Sequence, residues 1–221
     1  MSIETRTTDA INPLAAGTGA GTSASSTGAG ESVPHELLEL LQQALETGMA
    51  AVSVHETALR CVTNEDLKTE LSEYLVQAQK HIRIVEDLMA CLGLDSLALE
   101  RGRSVVRHKG EALVEAMDLA AAMGATPASQ LAAIECVVDA ETKDRLNWDL
   151  LCALLPRLEG NVQVAVEAAC DSVGNQAAEH LARSTGWARE LWREHLGLPS
   201  TVPPRESRPA VRRAPSSPGP S

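Results

Sequence analysis

Several polar side chains fall on apolar helical seams in this sequence, and they are of the types that ligate metal ions. Leu67, Leu71, Tyr74, Ala78, His81, Val85, Leu88 and Leu92 recur at alternating spacings of four and three, so His81 occupies a seam position. His180 falls between Val173 and Trp187 on another such line, Glu141 between Val138 and Trp148, and His55 between Val52 and Leu59. A polar group where the period asks for an apolar one needs a partner once it is buried. At ~1.5 Å of rise per residue, counting from each hairpin's turn puts His81, Glu141 and His180 near mid-helix, with Glu46 level with His81. His55 lies about 13 Å nearer its own turn and matches that level less well. Glu46 with His81, and Glu141 with His180, make one carboxylate and one imidazole per hairpin, a donor set suited to iron, manganese or zinc. The ordinary alternatives are a hydrogen-bonded core imidazole for either histidine, an ion pair with Arg145 for Glu141, and a solvated flank for Glu46.

The elements that must position these groups are helices throughout. Ser32, Pro34 and Glu36 mark a first start, and Leu41, Leu45, Val52, Leu59 and Val62 carry that helix to a turn at Thr63-Asn64-Glu65-Asp66. The second helix follows the seam of Tyr74 and His81 to Gly93, a C-terminal stop. Residues 94–107 are irregular, a shorter helix spans Glu111 to Met123, and a long one runs from Thr126-Pro127 to Leu155 before Pro156. After Glu159-Gly160-Asn161 the last helix extends from Val162 to about His195. Two antiparallel hairpins joined by a crossover is the expected arrangement.

Composition agrees. There is no Phe and only 2% aromatic residue, against an abundance of Ala, Leu and Glu, so a sheet is disfavoured. Residues 1–33, rich in Gly, Ser, Thr and Ala, read as a disordered arm, and residues 199–221, with seven of the eleven prolines, as a disordered tail. Residues 34–198 form the bundle. The arm carries −2 and the tail +3, which leaves −12 on the body of a −11 chain. Such a body disfavours nucleic acid, while the basic tail suits an acidic partner. No apolar run approaches the ~20 residues of a membrane span, and no leader pattern opens the sequence. Five cysteines, none as CxxC, suit reduced core thiols in the cytoplasm. Phosphate loops, nucleophile elbows and HExxH are absent.

The stretches VTNEDLKTELSEYLVQAQKHIRIVEDLMACLGLD and AAIECVVDAETKDRLNWDLL resemble uncharacterised bacterial ferritin-like domain proteins, over essentially all of residues 34–198. The resemblance implies a ferritin-like four-helix bundle with a helical crossover, often paired as a homodimer. Members with a di-iron or di-manganese centre carry Glu on helices one and three and Glu-x-x-His on helices two and four. Carried over, this implies Glu46, His81, Glu141 and His180 as ligands of iron or manganese, in a redox (ferroxidase-like) or storage role. Ala78 and Ala177 stand where the pattern has its bridging Glu, so the implied site is reduced or mononuclear. Those two alanines also motivate the alternative, a metal-free scaffold or interaction module. Gln77-Ala78-Gln79-Lys80-His81 and Gln176-Ala177-Ala178-Glu179-His180 share a Q-A-x-x-H pattern, with each Gln placed to hydrogen-bond the His four residues on. A second apolar line on helix one (Leu38, Leu45, Met49, Val52) suits either a dimer face or cover by the crossover helix.

Overall fold

Local signals place the helix ends where the chain's spacing asks for them. In the computed structural model, which describes residues 33–98 and 101–200, five α-helices and one 3-10 turn form, and no strand is present among the described residues. These are α1 (His35–Cys61), α2 (Glu65–Cys91), α3 (Arg101–Ala120), α4 (Pro127–Leu154) and α5 (Gly160–His195), with the 3-10 turn at Leu155–Arg157. Asn64 caps α2 by accepting from Leu67 N at 3.0 Å. Thr126 and Ser129 cap α4 reciprocally, with Pro127 in its first turn. Gly93, at φ 67°, ends α2 in the left-handed conformation that glycine adopts without strain. Ser32 and the arm and tail expected to be disordered lie outside the described residues, except Val33, Pro199 and Ser200.

The crossover helix begins at Arg101, ten residues ahead of the expected Glu111. The irregular charges that hid it are its packing face. Arg103 and Val106 are buried, and Gly102 and Gly110 lie against Gln43 and Ala50 of α1. α3 runs parallel to α1, with Arg103 at Glu46 and Asp118 at Arg60. It covers α1 and α4.

Gln130, in the first turn of α4, accepts from the backbone N–H of Thr63 and Asn64 at 2.9 and 2.8 Å, so α4 starts beside the α1–α2 turn. It then descends antiparallel to α1, with Gln130 at Thr63, Glu141 at His55 and Asn147 at Thr47. α5 returns antiparallel to α4 and to α2. The two hairpin turns therefore lie at opposite ends of the bundle.

Two apolar clusters fill those ends. One joins Leu37, Leu41, Leu45, Leu88, Met89, Trp148, Leu151 and Val173, and the other Val54, Ala58, Leu67, Leu71, Met117, Ile134, Val137 and Leu191. The polar seam residues lie between them. The expectation of reduced thiols fails for two cysteines. Cys152 and Cys170 form a disulfide, because the α4–α5 hairpin brings their Cα atoms within 5.8 Å. Cys61, Cys91 and Cys136 are free. No helix among the described residues is long and apolar enough to cross a membrane.

Candidate functional site

The antiparallel pairing of α2 and α5 places the two Q-A-x-x-H segments opposite one another. His81 Nε2–H donates to Gln176 Oε1 at 3.1 Å, and His180 Nε2–H donates to Gln77 Oε1. Each glutamine thus serves the histidine of the other helix rather than the one four residues along its own. Residues 77 and 180, and 81 and 176, are symmetric about one point in an antiparallel pair, so the two bonds are near-copies. The rings of His81 and His180 stack at 6.0 Å between centroids. Both side chains are almost fully buried, and burial pushes the His81 imidazole below its ordinary pKa, against the opposing pull of its bond to Gln176.

Glu141 of α4 lies under this pair. Its Oε2 is 3.6 Å from His180 Nδ1, and its Oε1 is 3.2 Å from His55 Nε2 on α1. Burial alone would raise Glu141, but the imidazoles of His180 and His55 hold it down to about 2. His55 has no exposed surface and makes no aligned hydrogen bond through either ring nitrogen. One helical turn from Glu141, Asp144 is pushed up to about 7 by burial and by the Glu141 charge, against a hydrogen bond from Trp148. The site therefore pairs an ionised carboxylate with one that keeps its proton to near-neutral pH.

A second carboxylate network borders the histidines. Tyr74 packs on the His180 ring at 4.2 Å and donates its hydroxyl to Glu70 Oε1. Arg183 Nε reaches the same oxygen at 2.9 Å, and Trp187 Nε1–H donates to Glu70 Oε2 at 2.9 Å. Burial, with the hydrogen bond to the Glu70 carboxylate, drives the Tyr74 phenol well above its usual range. Tyr74 is neutral at any working pH.

Of the four ligands expected from the sequence, His81, Glu141 and His180 come together and Glu46 does not. Both Glu46 oxygens are engaged by α3, with Arg107 Nε at 2.7 Å from Oε1, and Arg103 Nε and Arg107 Nη2 at 2.7 and 3.0 Å from Oε2. The Arg107 hydrogen bonds, opposed by burial and aided by Arg103, hold Glu46 below the usual carboxylate range. Neither alternative expected for the two glutamates occurs: Glu46 is buried rather than solvated, and Arg145 pairs with Asp149 rather than Glu141.

The misplacement has a geometric cause. Depths counted from two turns at opposite ends of a bundle run in opposite directions, so the α1 residue level with Glu141 is His55, about 13 Å from Glu46 along the axis. His55 was visible on its seam, and Asp144 shares a helix face with Glu141 at i+3. Glu70 and Arg183 had no periodic signal, because each flanks a seam rather than occupying it.

As the side chains stand, no group of three or more His, Cys, Asp or Glu among the described residues closes on a metal position. No protein-family model matches the chain, and comparison with curated proteins and with solved structures found no match.

Proposed function

We propose that this chain is a ferritin-like helical bundle whose buried layer takes one iron or manganese ion on His55, Glu141 and His180. Two antiparallel hairpins joined by a crossover helix support the ferritin-like reading of the fold. The observation that carries the site is His55, a fully buried imidazole with no aligned hydrogen bond on either nitrogen and its Nε2 3.2 Å from an ionised carboxylate. A buried, unsatisfied polar group is costly unless something binds it.

The donor chemistry fits one ion and not two. The separations of 3.2 and 3.6 Å from Glu141 oxygens to the two imidazole nitrogens approach the ~3.0–3.4 Å between neighbouring ligands of an ion bound at about 2.0–2.2 Å. The Nε2 of His55 already faces Glu141 Oε1, the carboxylate that would share the ion. Gln77, by taking the Nε2–H of His180, leaves that ring's Nδ1 facing Glu141, the outer-shell role that fixes a ligand's tautomer. A dinuclear centre lacks its bridging carboxylates at Ala78 and Ala177, and Glu46 is held by two arginines. A bound iron or manganese would supply one-electron redox chemistry. The chain itself supplies a charged carboxylate, oriented imidazoles, and apolar walls that exclude water.

The test is reconstitution of the chelator-treated protein with Fe(II) without oxygen, or with Mn(II), followed by metal analysis and thermal melting. One equivalent should bind and raise stability by about 2.7 kcal/mol at a hundredfold excess over Kd. His55→Ala should abolish the shift, and Glu46→Gln should leave it. A melt unmoved by either metal would overturn the proposal.

One observation favours a second reading, a metal-free scaffold acting through protein contacts. The reciprocal Gln–His bonds already satisfy one nitrogen of both His81 and His180 without any ion. In that case His55→Ala changes stability but no metal response, since none exists.

A further inference from the structure

An open groove of about 680 Å³ runs between α1 and α3, away from the histidine layer. Its floor is apolar, with Met49, Val114 and Leu119, and Met49 and Leu119 are 43% and 72% exposed. Its lining holds four carboxylates; Glu46 is taken by Arg103 and Arg107 and Asp118 pairs with Arg60, which leaves Glu111 and Glu115 on α3 as the acidic rim. An apolar floor with an acidic rim suits a cationic segment carrying small apolar residues.

This chain contains such a segment. Residues 201–221 hold Arg205, Arg208, Arg212 and Arg213 against Glu206, with Val202, Ala210, Val211 and Ala214 between them and prolines throughout. Prolines favour an extended backbone that loses little entropy on docking. The end of the described chain is well placed to deliver it. After Gly197 the backbone turns back on α5, where Arg193 donates to Pro199 O at 2.9 and 2.6 Å and Ser200 Oγ donates to Glu190 at 2.7 Å. That end of α5 contributes Leu191 to the same apolar cluster as Met117 of α3, so the chain leaves at the end of the bundle where Asp118 and Leu119 open the groove. Twenty-one extended residues span up to about 70 Å, ample for the crossing.

We propose that the α1–α3 groove is a docking site for the chain's own basic segment 201–221, with the arginines on the carboxylate rim and Val211 on the apolar floor.

The test uses the full chain with a photo-crosslinking residue at Val211. Crosslinks should form within one chain, to peptides holding Met49 or residues 110–122, and hydrogen exchange of 110–122 should be slower than in a chain with all four tail arginines changed to Glu. That tail variant should lose at least tenfold in crosslink yield, as should Glu111→Lys with Glu115→Lys, and combining both charge reversals should restore it. The tail substitutions lie outside the helical core, so they remain informative even if the groove variant fails to fold. Crosslinks that join two chains, fall elsewhere, or ignore charge reversal would each overturn the proposal, the first by making a second copy the occupant.

Discussion

Replacing Asp144 by Asn removes the most unfavourable charge in the histidine layer. Asp144 is 7% exposed, and its carboxyl keeps a proton to about pH 7 in the folded chain, whereas the unfolded chain releases it near 3.8. Between those values the folded state binds more protons than the unfolded one, so stability falls as pH rises, by about 1.36 kcal/mol for each pH unit of the gap. The cumulative cost reaches about 4 kcal/mol at pH 7 and stays constant above it. The amide introduced by Asp144→Asn mimics the protonated acid in shape, can still accept from the Trp148 indole, and carries no such cost. Urea unfolding of both proteins at pH 5, 6, 7 and 8 measures the difference. The variant should be the more stable throughout, with its advantage widening by about 3 kcal/mol between pH 5 and 8, or ~1.5 M in midpoint for an m-value of about 2 kcal/mol/M. An advantage that stays flat across this range, or a parent more stable at pH 8, would refute the burial argument.

Glu141 has the opposite sign. Its carboxyl is held down to about 2 against an ordinary 4.5, so its stabilisation is present above pH 4.5 and disappears as pH falls toward 2. Glu141→Gln should therefore cost about 3 kcal/mol at pH 7 by chemical denaturation and flatten the acid limb of the stability curve. Gly110→Ala should destabilise by about 1–2 kcal/mol net, because the new Cβ would lie 2.5 Å from the rigid Ala50 Cβ and helix propensity returns only part of the loss. Gly102→Ala should come out near neutral in the same denaturation series, since its nearest neighbour is the movable Gln43 amide. Reducing the Cys152–Cys170 bond, which spans 18 residues, or replacing both cysteines by Ser, should cost about 3 kcal/mol, read from melts with and without reductant.

The helices themselves were legible in the order of residues, because a helix is a local structure. Spacing of threes and fours, Asn64 and Thr126 as caps, and Gly93, Gly124 and Gly197 as stops all act within a few residues along the chain. The interrupted seams likewise announced that His55, His81, Glu141 and His180 would be buried, which they are. α3 was legible only in its second half. Its first turns are addressed to a partner rather than patterned on themselves, with Arg103 and Arg107 facing Glu46 and two glycines flattened against α1.

What meets what was decided only by tertiary structure. Whether α1 offers Glu46 or His55 to Glu141 depends on which end of the bundle each turn occupies and on how far α1 is rotated about its axis, and neither is encoded in the spacing along one helix. The glutamines show the same division. Their repeated placement four residues before a histidine is a sequence fact, but the antiparallel docking of α2 on α5 exchanges the partners across the interface. The disulfide follows this rule too, since 18 residues of separation say nothing until the α4–α5 hairpin brings Cys152 level with Cys170. Periodicity fixes which face of a helix is buried, while the axial offset and rotation that choose each side chain's partner are settled by close packing of all five helices at once.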